Sequence, residues 1–151
     1  MSIESVARSM ADENPKKYFS STQPGVLLHC IVNSAKHVGK RLDVSSEQEF
    51  LQTSIIPLQA GKSVAPHIHL PRTSVAGLTI TQECWVVVRG AIKVRLFDLD
   101  HTLLAERKLI AGFLLTSFRG GHALECLEDD TIILEFKNGP YLGPDYQKFN
   151  A

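Results

Sequence analysis

Residues 83–138 read ECWVVVRGAIKVRLFDLDHTLLAERKLIAGFLLTSFRGGHALECLEDDTIILEFKN, and this stretch decides the fold class. ECWVVV stops at Gly90, and AIKVRLF alternates apolar with basic residues before Asp98-Leu99-Asp100. LLAERKL ends at Ala111-Gly112, FLLTSF at Gly120-Gly121, HALECL at Glu128-Asp129-Asp130 and TIILEF at Asn138-Gly139-Pro140. Strand-length apolar runs recurring every 8–12 residues or so, each closed by turn residues, predict an all-β sandwich or barrel. No long helical pattern separates them, which argues against a parallel α/β sheet.

The same reading extends upstream. GVLLHCIVN (25–33) is a β-branched apolar run bounded by Pro24-Gly25 and Asn33, and FLQTSIIPL (50–58) reads as a strand closed by Ala60-Gly61. Between them, residues 34–49 are polar and read as a surface loop. In residues 1–17, Ile3, Val6, Ala7 and Met10 have helical spacing that Asn14-Pro15 cuts short, predicting a short helix or arm. The expected organisation is therefore an N-terminal arm, 1–24, and one β-barrel domain, 25–151. The tail 139–151 is turn-rich and is expected to pack over a sheet edge.

The totals agree with one globular domain. The 151 residues are 44% apolar and 21% charged, and 16 basic residues balance 16 acidic ones. No net field exists to draw in nucleic acid or an anionic membrane. The sequence has no apolar run of about 18 residues that would span a bilayer, and its first residues carry acids and no continuous apolar core typical of a signal peptide. Cys30, Cys84 and Cys126 are odd in number and lack CxxC spacing, as expected of small buried side chains in a reducing cytoplasm.

His67-Ile68-His69 carries the first chemical signal. On a strand, residues i and i+2 share a face, so both imidazoles reach one point, as a metal ion requires. An HxH pair alone is weak evidence, but its context sharpens it. Glu83, Trp85 and Val87 share the face of their strand opposite Cys84, Val86 and Val88. If Trp85 and Val87 point inward, Glu83 does too, and a metal would compensate that buried carboxylate. His122 follows Gly120-Gly121 and leads the strand HALECL, on the face of Leu124 and Cys126.

Gly61 through His69, followed by Glu83 through Gly90, resembles the first conserved motif of the cupin superfamily, G-x5-H-x-H-x3,4-E-x6-G. The second motif, G-x5-P-x-G-x2-H-x3-N, is matched more loosely from Gly112 to Cys126. Gly120-Gly121-His122 followed by an acidic turn and ILEFKNGPYLG (133–143) also resembles small cupins of polysaccharide biosynthesis settings. The resemblance covers roughly residues 50–140. It implies a double-stranded β-helix (jelly-roll) barrel, with His67, His69, Glu83 and His122 as ligands of one divalent metal. Two departures stand out. Thirteen residues, LPRTSVAGLTITQ, separate His69 from Glu83 where the pattern has three or four. Ser117, Arg119 and Cys126 stand at the second motif's Pro, Gly and Asn positions.

Three imidazoles and a carboxylate suit Fe, Mn, Zn, Ni or Co without selecting among them. The expectation is a small metal-dependent enzyme, of oxygenase or isomerase type, acting on a polar metabolite such as a sugar or keto acid. Two alternatives stand beside it: a non-catalytic ligand-binding or regulatory cupin, and a metal-free sugar-nucleotide isomerase using His67 or His69 as general base. Arg72 and Arg119 are candidates for holding an anionic substrate, and Tyr141 and Tyr146 for covering the barrel mouth. The expected partners are a small-molecule ligand and a second copy in a homodimer that protects a sheet edge.

Overall fold

The structure, a computed structural model, describes residues 15–37, 39–74 and 77–150. It divides into two compact units, one ending at Lys36 and the other beginning at His37. In the first, β1 (Lys16–Phe19) and β2 (Leu27–Ile31) form an antiparallel hairpin, followed by a 3-10 turn at Ser34–Lys36. The helix expected near the N-terminus lies mostly outside the described residues; Lys16 and Lys17 already belong to β1.

The second unit contains β3 (Leu42–Asp43), β4 (Leu51–Leu58), β5 (Ser63–His69), β6 (Pro71–Ser74), β7 (Gly77–Ile80), β8 (Glu83–Arg89) and β9 (Ala91–Phe97). It continues with β10 (Leu103–Ile110), β11 (Leu114–Ser117), β12 (Gly121–Cys126), β13 (Thr131–Asn138) and β14 (Tyr146–Lys148). They form two five-stranded sheets, ordered β10-β9-β12-β5-β14 and β11-β8-β13-β4-β3, and a separate β6-β7 hairpin. Every strand pairing among the described residues is antiparallel. No described helix is long and apolar enough to cross a membrane. The expected all-β architecture is present, with further strands where none was expected: β1 in the arm, β3 in the stretch read as loop, β6 and β7 between His69 and Glu83, and β14 in the tail.

Period-2 patterning explains the two faces. Along β8, Glu83, Trp85 and Val87 are buried while the residues between them are only half-buried. The core lies between the sheets: Leu58, Trp85, Val87 and Ile133 from one meet Ile92, Val94, Leu124 and Cys126 from the other. Each such side chain contributes about 1.5–3 kcal/mol on burial, and none of the three cysteines is paired.

The turn between β8 and β9 depends on Gly90. Its φ is +77°, and an added Cβ would collide with Thr131 Oγ1 and lie 2.9 Å from Thr131 Cα. Thr131 is fully buried, and its hydroxyl donates to Glu128 O at 2.7 Å, so it has little room to withdraw. Gly90→Ala is expected to destabilise the protein by roughly 2–4 kcal/mol, combining left-handed backbone strain with overpacking. Urea unfolding measures this; an unchanged midpoint would show that the turn relaxes freely.

Candidate metal centre

Strand ends build the site. His67 and His69 occupy the last turn of the pleat in β5, and His122, second in β12, pairs directly across from His67. Glu83 opens β8 in the opposite sheet, so the cluster joins the two layers at one end of the barrel. The Gly120-Gly121 pair has a steric role here. A Cβ on Gly121 would lie 2.9 Å from the Phe149 ring and 3.3 Å from His67 O, so a larger residue would push the ring aside and crowd the β5 backbone.

The four side chains are all buried, with one ligand atom from each lying within 4.8 Å of the others. His122 Nε2 is 3.2 Å from Glu83 Oε2, and His69 Nε2 is 3.5 Å from Glu83 Oε1. The latter is too long for a hydrogen bond, and His69 Nε2 is a buried nitrogen without a partner among the described residues. The outward nitrogens of the β5 histidines are held: His67 Nδ1 is 2.9 Å from Ala65 O and His69 Nδ1 is 3.3 Å from Asp145 Oδ1. Proton donation from each Nδ1 to its oxygen places the lone pair on Nε2, the tautomer a metal ligand needs.

Electrostatics follow from burial and proximity. Burial pushes the Glu83 carboxyl up, but His122 and His69 outweigh it and hold the group well below the usual carboxylate range. Burial lowers His67, and the neighbouring imidazoles His122 and His69 add to that. His69 is raised: burial acts downward, but the Glu83 and Asp145 carboxylates prevail. A carboxylate with 7% exposure needs a cation or charged donors beside it. The unpartnered His69 nitrogen, the fixed tautomers and the mixed nitrogen–oxygen donor set all fit a divalent transition metal.

Asp145 was not legible as a site residue. Its link to the cluster is His69, 76 positions away in sequence. Thr81 Oγ1 donates a short hydrogen bond to Asp145 Oδ2, and Arg72 Nε lies 3.3 Å from the same oxygen. Arg72 also donates through Nη1 to Pro140 O at 2.6 Å and through Nη2 to Asn138 O at 2.9 Å. All three guanidinium nitrogens thus face the protein's own oxygens, and Arg72 braces the segment after β13 rather than standing open to a ligand. Arg119, by contrast, is exposed and has no ion-pair or hydrogen-bond partner among the described residues.

Two aromatic rings wall the cluster. Trp85 meets His122 edge-on with centroids 4.9 Å apart, and its Nε1 donates to Glu135 Oε2 at 3.3 Å. Glu135 is in turn held by Arg41 Nη2 at 2.8 Å. Tyr146, opposite His69 in the β14–β5 register, sets its ring edge-on to His67 at 5.3 Å. The tail therefore adds a strand beside the histidine pair, and Tyr146 covers it. Tyr141 lies away from the cluster, with the Lys137 ammonium 5.8 Å from its ring centre.

No family model matches the sequence, and no curated protein is found to be similar to it. Solved structures are similar in fold. A protein with a double-stranded β-helix domain from Klebsiella pneumoniae aligns over 80% of this chain and 97% of its own, with TM-score 0.56 and 13% identity. KdgF from a Halomonas species aligns over 80% of this chain and 86% of its own, with TM-score 0.51 and 18% identity. A tryptophan-to-phenylalanine variant of Bacillus subtilis oxalate decarboxylase aligns over 67% of this chain but only 24% of its own, with TM-score 0.52 and 16% identity. The chain therefore shares the double-stranded β-helix fold of these structures, with the His67–His69–Glu83–His122 cluster at one end of its barrel.

Proposed function

We propose that the protein is a metal-dependent enzyme that holds one divalent ion through His67, His69, Glu83 and His122 and acts on a small polar metabolite. The observation that carries this reading is the convergence of three imidazoles on a buried carboxylate, with two imidazoles fixed from behind in the ligating tautomer. An ion held there supplies Lewis acidity toward a substrate oxygen, or redox chemistry if it is iron. Keto acids and sugars both offer such an oxygen, and oxygenase or isomerase chemistry would suit them.

The chain's own residues do the remaining work. Glu83 brings the negative charge that favours a cation in a buried setting, and Asp145 orients His69. Trp85 and Tyr146 limit the water around the imidazoles, which strengthens electrostatic contacts at the centre.

Turnover of a panel of 2-oxo acids and sugar nucleotides by reconstituted protein tests the reading. Activity should vanish with chelation and in His69→Ala while the circular dichroism spectrum is retained. It should also fall with acid. His69 holds its proton to higher pH than an ordinary imidazole, so metal must displace a proton there, and occupancy rises with pH. As pH falls, release of the ion should therefore begin above the ordinary imidazole value of about 6.5 and become progressive below it. Occupancy unchanged down to pH 4 would contradict the ligand set, and binding without turnover would favour a ligand-capturing cupin.

A further inference from the structure

A cavity of about 800 Å³ has one of the four cluster residues, His69, in its lining. This lies within the roughly 300–1,000 Å³ typical of small-molecule sites. Strand order places the cavity at the cluster's end of the barrel: Phe50 precedes β4, Leu70 follows β5, Leu99 follows β9, and Leu78 and Ile80 belong to the β6-β7 hairpin. Phe50, Leu78 and Leu99 are 62, 79 and 64% exposed, so three large apolar side chains stand open around one concavity. Soluble proteins seldom gather exposed apolar groups like this without use.

Among the described lining residues, one carries a permanent charge. Arg119 borders the same cavity, and its guanidinium has no partner among the described residues. Asn138, also at the rim, is occupied by Gln82 N and Ile80 O. An apolar wall with a single free guanidinium matches a ligand with one anionic end and one hydrocarbon or aromatic end. A bare sugar would leave the wall wet, and a dianion would lack a second cation.

Resting on the metal-enzyme reading for its chemistry, we infer that the substrate is an organic acid with an apolar body, its carboxylate on Arg119 and its body against Leu78, Ile80 and Leu99. A planar guanidinium takes a carboxylate through two parallel hydrogen bonds. The hairpin β6-β7, which fills the long gap between His69 and Glu83, then serves as the wall that selects the body.

Calorimetric binding of three probes tests the assignment: phenylpyruvate, pyruvate without the ring, and 2-phenylethanol without the carboxylate. Metal content is measured by elemental mass spectrometry on every sample. Phenylpyruvate should bind about tenfold or more tightly than either truncated probe. Arg119→Gln should weaken phenylpyruvate by about tenfold and leave 2-phenylethanol unchanged. Leu78→Ser should weaken phenylpyruvate and leave pyruvate unchanged. Equal affinity for phenylpyruvate and pyruvate, or no effect of Arg119→Gln, would overturn the inference. So would a concentration-dependent dimer broken by Leu78→Ser, because the wall would then be an interface. Discrimination among the probes in protein that never takes up metal would sink the metal reading and leave the pocket assignment standing; metal without discrimination would do the reverse.

Discussion

Tag-free protein exposed to divalent ions should carry close to one metal per chain, and the His67→Ala/His69→Ala variant should carry almost none. Both imidazoles come from β5, so the double variant removes half of the proposed donors and leaves Glu83 facing His122 alone. The affinity loss should exceed the 10–100-fold or so that removing a mere outer hydrogen-bonding partner costs. Elemental mass spectrometry gives the content. Fluorescence gives the affinity, because Trp85 is the chain's sole tryptophan and its ring stands 4.9 Å from His122. Retained metal in the variant would overturn the ligand assignment. Iron in the parent would direct the next assays to oxygen chemistry, and zinc or manganese to Lewis-acid chemistry.

The second large effect is expected far from the motif. Asp145→Ala should weaken metal binding by about 10–100-fold although Asp145 is not itself a proposed ligand. Without its carboxylate, His69 Nδ1 loses the acceptor that sets its tautomer, and the ring is free to turn. Arg72 Nε and Thr81 Oγ1 lose the same partner. Asp145→Asn is the informative companion: its side-chain oxygen can still accept from Nδ1–H, so it should recover part of the affinity lost in the alanine variant. Chelator competition followed through Trp85 measures both. Equal affinity in all three proteins would show that His69 is oriented by β5 alone.

The inward placement of Glu83 was readable because strand periodicity is local. Once Trp85 and Val87 are assigned to the core, the pleat leaves no choice for a residue two positions earlier, and burial along β8 follows that alternation. The thirteen residues before it were harder to interpret, since no local rule says where an inserted stretch returns. They form β6 and β7, which pair with each other and bring the chain back to β8. Arg72 illustrates the same limit. An arginine in an insertion looks available to a ligand, and only the return of residues 138–145 reveals the carbonyls and the carboxylate that engage it.

By itself, the sequence determined β4 and the strands from β8 to β13 and the inward face of β8, because alternation and turn chemistry act over a few neighbouring positions, and its motif resemblance implied the four-residue donor set. Tertiary structure alone decided which strands lie side by side. It paired His122 with His67, brought Glu83 across from the opposite sheet, and laid the tail against β5 so that Asp145 meets His69. These contacts join residues tens of positions apart, within one sheet for His67, His122 and the tail and across the two sheets for Glu83. No local pattern encodes them.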